Sequence, residues 1–314
     1  AIQQPDQLNK DFELLTKELE EDGYFKVSGG HTLYRFVELV LLFAFGMYLF
    51  SIHQTVAGIF IHGIFGGRCG WLGHELGHNS MMISNPSSRR TFHSLLYGFG
   101  LGISADKWNQ MHNKHHAATQ KIKHDLDLDT TPLVAFFDRA FSSSRNKTTM
   151  IHFLTKYQAY LFLPIISGLF ILNFWIYMLH PRHVLSNLKK QTWIDGISMI
   201  SGHCIRTAMY MFTTGSNEIL KSYLIAYSAC MYVSAIYNFG HFSLSHTHLD
   251  VVEDDKHKSW LAYAIEHTVN ISPQNPFVSW TMGYLNCQIE HHLWPSMPQY
   301  QQPKVSQKVR EFCK

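Results

Sequence analysis

The segment Tyr157–Leu179 (YQAYLFLPIISGLFILNFWIYML) carries no charge and reaches the roughly 20 residues that a helix needs to cross a bilayer. Such a stretch commits the chain to helical structure, because in lipid every backbone N–H and C=O must be satisfied within the segment. Four more apolar segments accompany it. Phe36–Phe50 and Thr55–Leu72, joined by Ser51-Ile52-His53-Gln54, read as a membrane hairpin with Glu38, His53 and His62 as polar exceptions; Gly196–Thr214 and Ile219–Phe239 follow, the first interrupted by His203 and Arg206. Several such segments with Trp and Tyr near their ends favour a membrane over the core of a soluble protein. The mean hydropathy of −0.09 hides this pattern, since it averages apolar segments with polar stretches between them. Residues 1–30 are polar and charged and read as a helix outside the lipid. Without repeats or Pro-rich linkers, the 314 residues read as one domain.

Lys plus Arg minus Asp plus Glu is 26 − 23 = +3, which excludes a strongly basic nucleic-acid binder and an acidic tail. The 5 cysteines are scattered, odd in number and form no C-x-x-C pair, so a disulfide scaffold, a cysteine zinc finger and a thioredoxin-type site are excluded. The 21 histidines are the unusual count, roughly three times ordinary composition.

Their spacing carries chemistry. In Trp71-Leu-Gly-His74-Glu75-Leu-Gly-His78 two imidazoles stand at i and i+4; in His112-Asn-Lys-His115-His116 three stand at i, i+3 and i+4; Gln288-Ile-Glu290-His291-His292 repeats that pattern with Gln first. These intervals fall on one helix face, so each cluster aims at one point. HELGH alone resembles the zinc-protease pattern H-E-x-x-H, with Glu75 as base. Three clusters argue otherwise: seven histidines plus Gln288 are enough for two metals with open positions. Imidazole suits iron, copper and zinc, so spacing alone does not identify the metal. A histidine-rich metal transporter is the reading from a different class, but it would place histidines within the spans, and most here lie outside them.

HELGH, HNKHH and QIEHH resemble the three histidine boxes of membrane fatty-acid desaturases, and Gln in the third box resembles the front-end branch that makes Δ5, Δ6 or Δ8 double bonds. The resemblance extends through Trp108, through His124–Pro132 (HDLDLDTTP), and through Gly283–Gln288 to Pro295-Ser-Met-Pro298, nearly the whole chain. Departures are Glu75 where Asp is commoner, and Trp294 and Gln299 where Phe and Arg are. The family's fused cytochrome b5 domain, with its His-Pro-Gly-Gly haem motif, is not in this sequence. Either that domain was removed or a separate cytochrome b5 serves.

The resemblance implies an all-α integral membrane protein of about four transmembrane helices, with a cytosolic helical cap holding a dinuclear metal site. It implies two Fe ions held by His74, His78, His112, His115, His116, His246, His291 and His292, with O2 as oxidant and electrons from NADH through cytochrome b5 and its reductase. His246 is the best match to a ligand after the last span, with His241 and His248 as rivals; Gln288 is a weak ligand, a water bridge or a packing residue; Glu75 and Glu290 are candidate imidazole partners. The implied reaction is front-end desaturation of a fatty acyl-CoA or phospholipid chain at the endoplasmic reticulum membrane, with a Δ8 sphingolipid desaturase or lipid hydroxylase as the alternative. The acyl chain would enter an apolar tunnel whose residues the sequence does not identify. Asp125, Asp127 and Asp129 lack the glycine and final Glu of a calcium loop and read as braces for the second box.

All ligands must reach one site, which divides the chain into an N-terminal segment 1–35, a membrane hairpin 36–72, boxes 1 and 2 in 73–156, membrane segments 157–240 and box 3 in 241–314. The number of crossings between the second and third boxes must be even. Gly196–Thr214 is the segment to set aside as in-plane or re-entrant, since His203 and Arg206 would sit at its midplane. Arg89, Arg90, Lys107, Lys114, Lys121 and Lys123 place 73–156 in the cytosol, against Arg182, Lys189 and Lys190 on the opposing side. Those basic residues read as a solvated face or a docking face for cytochrome b5 or an acyl-CoA phosphate. Of the other histidines, His31, His152, His180, His183 and His257 read as solvated, and His53 and His62 as snorkelling or bonded between helices; His93, His203 and His267 have no reading.

Overall fold

The computed structural model describes residues 5–128, 130, 134–144, 149–168 and 193–314. It is helical, and among the described residues the one β contact is the isolated bridge between Lys121 and Val252. Helix α1 (Pro5–Glu21) lies on the cap. The hairpin consists of α2 (Gly29–Ser51), capped by Ser28 accepting from His31 N at 3.2 Å, and α3 (Thr55–Gly77). Then come α4 (Pro86–Leu95), running on into a π-helical turn at Leu96–Leu101, and α5 (Ala105–Ala117). After the second box α6 (Trp193–Thr214) and α7 (Ile219–Ser245) complete the bundle, and α8 (Gln288–Leu293) and α9 (Gln302–Phe312) complete the cap. Among the described residues α2 and α7 are long and apolar enough to cross a membrane.

The hairpin buries charge as a balanced set. Arg35 bonds Glu75 at 2.9 Å, Arg68 bonds Glu38 at 2.8 Å, and Trp280 Nε1 donates to Glu38 at 2.7 Å. Two guanidinium groups and two carboxylates thus neutralise one another between α2 and α3, where a single unpaired charge would be costly. His62, expected to bond between helices, meets the Phe43 carbonyl of α2 at 3.2 Å.

α3 faces α7 through glycine. A Cβ at Gly63 would lie 2.4 Å from Val233, and one at Gly67 would lie 2.1 Å from Tyr237. The missing methyls let the two helices close together.

Gly196–Thr214, expected to lie in-plane or re-entrant, falls within one helix. α6 is a continuous helix lying along the bundle: Asp195 at its start accepts from Ser104 Oγ at 2.6 Å and Asp106 N at 3.2 Å, and Tyr210 near its end meets Phe50 at the far end of α2. Arg206 does not face lipid. It is buried inside the bundle, within 3.5 Å of the Gly100 carbonyl and over the rings of Phe65 and Tyr227. His203, unexplained by sequence, packs its ring against Tyr227, 3.9 Å between centroids. Gln158, bonded to both backbone groups of Ala135, lies at the cap end like Asp195. Tyr157–Leu179, expected as a crossing, is described only as far as Gly168. Its remainder lies outside the described residues, as do Asp129, His180, Arg182, His183, Lys189 and Lys190.

The cap has its own core. Leu19 of α1 packs with Leu293, Trp294, Val305 and Val309; Phe12 stacks on Trp294 at 5.2 Å, and Trp294 Nε1 donates to Thr16 at 3.0 Å. α1 thereby covers the third box. Gly67→Leu is expected to separate α3 from α7 and cost about 3 kcal/mol or more. Thermal unfolding in detergent checks this against Gly30→Ala, whose methyl would approach nothing closer than 3.7 Å.

Candidate metal centre

Helix α5 presents the second box. Ser104 caps it by accepting from Lys107 N at 3.1 Å, and the Asp195 carboxylate gathers Ser94, Ser104 and Asp106 N, so α4, α5 and α6 are fixed at one point. The third box is the short α8, and His246 follows α7 directly. The bridge between Lys121 and Val252 draws these loops together: Gln120 Nε2 donates to the carbonyls of His246 at 2.8 Å and Leu249 at 3.0 Å.

The imidazoles converge in two groups. His74, His78, His112, His116 and His291 offer nitrogens that all lie within 4.8 Å of one another, and so do those of His115, His246 and His292. In the first group His116 Nε2 stands 3.0 Å from both His112 Nε2 and His291 Nε2, and His78 Nε2 is buried without a partner. The groups join through the stacked rings of His116 and His292, 4.1 Å apart. Gln288 completes the second group, its amide 2.7 Å from His246 Nε2 and 3.4 Å from His292 Nε2. Since the two ends of an amide exchange by a half turn, Gln288 can also present its oxygen there.

Burial, reinforced by neighbouring imidazoles, holds His112, His116, His291 and His292 far below the ordinary histidine range and His78 at about 3. These rings are neutral and retain the lone pairs a metal needs. His115 differs. Burial disfavours its charge, but Asp125 and Asp127 outweigh that and raise it to about 9. His115 Nδ1–H donates to Asp125 at 2.9 Å, and Asp125 also accepts from Gln120 N and Asp127 N.

Other Nδ1 atoms are held as well. His246 Nδ1–H donates to the His267 carbonyl at 3.2 Å; Thr119 Oγ, which donates to the His115 carbonyl, lies 3.2 Å from His292 Nδ1; the Gln299 amide lies 2.7 Å from His74 Nδ1. A bond at Nδ1 leaves Nε2 to face the centre, the usual way of orienting a ligating histidine. Buried, converging ring nitrogens, His78 Nε2 among them without a partner, fit a pair of metal ions with nitrogen ligands.

Some expected residues stand elsewhere. His241 Nδ1 donates to Tyr237 O in its own helix, and His248 is exposed, so of the three rivals only His246 joins a group. Glu75 and Glu290 are not imidazole partners: Glu75 pairs with Arg35, and Glu290 accepts from Asn270 at 2.8 Å. The helix turn that aims the histidines inward points these carboxylates away. His31, expected in solvent, packs its ring against Tyr300, 4.2 Å between centroids, and His267 bonds the Asp250 carbonyl. Several residues of the expected basic face are engaged, Arg90 with Asp106, Lys123 with Asp254 and Lys121 with His257. Asp125 was visible as part of the HDLDLD run beside its box, whereas Gln299 is 225 residues from His74 and has no local signal.

An apolar cavity opens beside the centre. Trp71, Tyr97, Leu101, Ile103, Phe239, Phe242 and Leu285 line it, and His112, His115, His246 and Gln288 share its wall. Its lining is mostly apolar, which suits a hydrocarbon better than a polar group.

Comparison with known proteins is consistent with this geometry. The family model for fatty acid desaturase matches residues 33–314. An acyl-lipid (8-3)-desaturase of Rebecca salina is 40% identical over 302 residues, covering 96% of this chain and 68% of its own length. A protein of the same name from Thraustochytrium sp is 36% identical over 312 residues, covering 98% of this chain and 69% of its own length. A Delta(6)-fatty-acid desaturase of Caenorhabditis elegans is 26% identical over 332 residues, covering 100% and 71%.

The charge on His115 has a measurable consequence. A ring raised to about 9 must lose its proton before Nε2 can bind a metal, so affinity for Zn2+ or Fe2+ is expected to rise between pH 6.5 and 8.5. Asp125→Asn should flatten that rise and weaken binding about tenfold at pH 8.5. Chelator-competition titrations at the two pH values read both effects.

Proposed function

This chain belongs to the fatty acid desaturase family, and from that premise we propose that it inserts a cis double bond between an existing one and the carboxyl end of a polyunsaturated acyl chain. The 8-3 pattern by which two relatives are named is the regiochemistry we put first, with Δ6 as its rival. The observation that carries the reading is the apolar cavity whose wall includes imidazoles of both buried groups.

In this reading His74, His78, His112, His116 and His291 hold one iron, and His115, His246 and His292 hold the second, with Gln288 beside it. A methylene C–H bond is too strong for acid–base chemistry, and iron bound here would supply, with O2, the oxidising power to break two of them. The chain's own residues bind and orient. Trp71, Tyr97, Leu101 and Phe239 take the hydrocarbon out of water and limit its rotation, so that neighbouring methylenes pass the His112 and His115 end of the cavity. Asp125 holds the His115 ring through Nδ1–H, and the Thr119 hydroxyl does the same for His292.

In this reading α2, α3, α6 and α7 cross the membrane, so that among the described residues two crossings, α6 and α7, lie between the second and third boxes and the parity condition is met. The cap then faces the cytosol of an endoplasmic reticulum membrane, where cytochrome b5 and its reductase pass electrons from NADH. The acyl group arrives as a CoA thioester or within a phospholipid.

Expression in yeast fed individual polyunsaturated fatty acids, with the new double bond located by mass spectrometry, tests the activity. Wild type is expected to form a product with the new bond on the carboxyl side of an existing one, and His115→Ala combined with His116→Ala to form none. Activity remaining in that double variant would refute the metal-centre reading. Gln288→Ala is expected to lose about tenfold or more in conversion, while Gln288→His keeps part of it because imidazole restores a donor. Unchanged conversion in Gln288→Ala would reduce the residue to packing.

A further inference from the structure

Gln299 belongs to no histidine box, yet its carboxamide lies 2.7 Å from His74 Nδ1. Both side chains are buried, at 1% and 4% exposure, and the Gln299 Oε1 atom has no hydrogen-bond partner. An amide N–H donating to a bare Nδ1 would put the imidazole proton on Nε2, the one nitrogen left for the histidine group, and would close that ligand. A half turn of the amide reverses the bond: Oε1 accepts from Nδ1–H, and Nε2 is left with its lone pair. The half turn also gives a partner to the oxygen that otherwise has none.

Gln299 is held firmly enough for this task. Its backbone lies beside the Glu75 carboxylate, which is paired with Arg35 of α2 at 2.9 Å, and the next residue, Tyr300, packs its ring against His31. The C-terminal segment is thus clamped on the hairpin directly beside the first box. Asp125 does for His115 with a charged oxygen what a neutral oxygen would do here.

We propose that Gln299 is a positioning residue that holds His74 in its Nδ1–H tautomer through the side-chain carbonyl, presenting Nε2 to the metal. This rests on the reading of the histidine groups as an iron centre. Gln299→Leu keeps the volume and loses the acceptor; Gln299→Glu keeps the acceptor and adds a charge.

Each variant is purified in detergent and loaded with Fe2+, and two quantities are read: iron per chain, and the half-life of iron loss to a chelator. Unfolding of the metal-free protein serves as the fold control. Gln299→Leu is expected to lose iron about tenfold faster than wild type, and Gln299→Glu to stay within about threefold of it. A role in packing alone predicts the reverse order, because Leu fits an apolar gap and Glu buries a charge. Iron retention in Gln299→Leu equal to wild type, or equal losses in both variants, overturns the proposal. If Gln299→Leu does not fold, Gln299→Met takes its place with the same expected loss. Wild type that takes up no iron overturns the metal-centre reading, and the proposal with it.

Discussion

Converging lone pairs are the constraint on which the structure depends. Eight imidazoles are brought into two groups whose nitrogens lie within 4.8 Å of one another, and each ring must stay neutral to be useful there. Burial meets that condition for His78, His112, His116, His291 and His292 by making the protonated form costly. It also makes every polar atom in the cap need a partner, which is why Asp125, Thr119 and the His267 carbonyl stand at Nδ1 positions.

The rest of the fold delivers those rings. Glycines on α3 let α7 press against it, the balanced set of Arg35, Glu38, Arg68 and Glu75 holds α2 to α3, and Asp195 ties the start of α5 to α6. Each of these contacts lies away from the metal centre, yet each sets the position of a box. The apolar cavity follows from the same packing, because Trp71 of α3, Tyr97 and Leu101 of the π-helical turn and Phe239 of α7 line it beside the histidines.

Much of the site was legible because its chemistry is periodic. His112, His115 and His116 share a face at any helical geometry, and so do Gln288, His291 and His292, so their convergence could be expected without coordinates. Topology was less legible. Arg206 reads as a midplane charge that forbids a crossing, and only the fold shows its guanidinium turned inward onto Phe65, Tyr227 and the Gly100 carbonyl. Glu75 and Glu290 sit inside the boxes and were natural candidates to orient imidazoles, but adjacent helical positions point about 100° apart, and their partners are Arg35 and Asn270.

Sequence by itself determined the helical class, the seven box histidines with Gln288, and the family, because apolar length and i, i+3, i+4 spacing are local properties that survive any packing. Tertiary structure alone decided which histidines share a group, that His246 rather than His241 or His248 joins them, and that Gln299 stands behind His74. Those are contacts between residues up to 225 positions apart. No local pattern encodes them, since they arise only when the hairpin, α7 and the C-terminal cap close on one another.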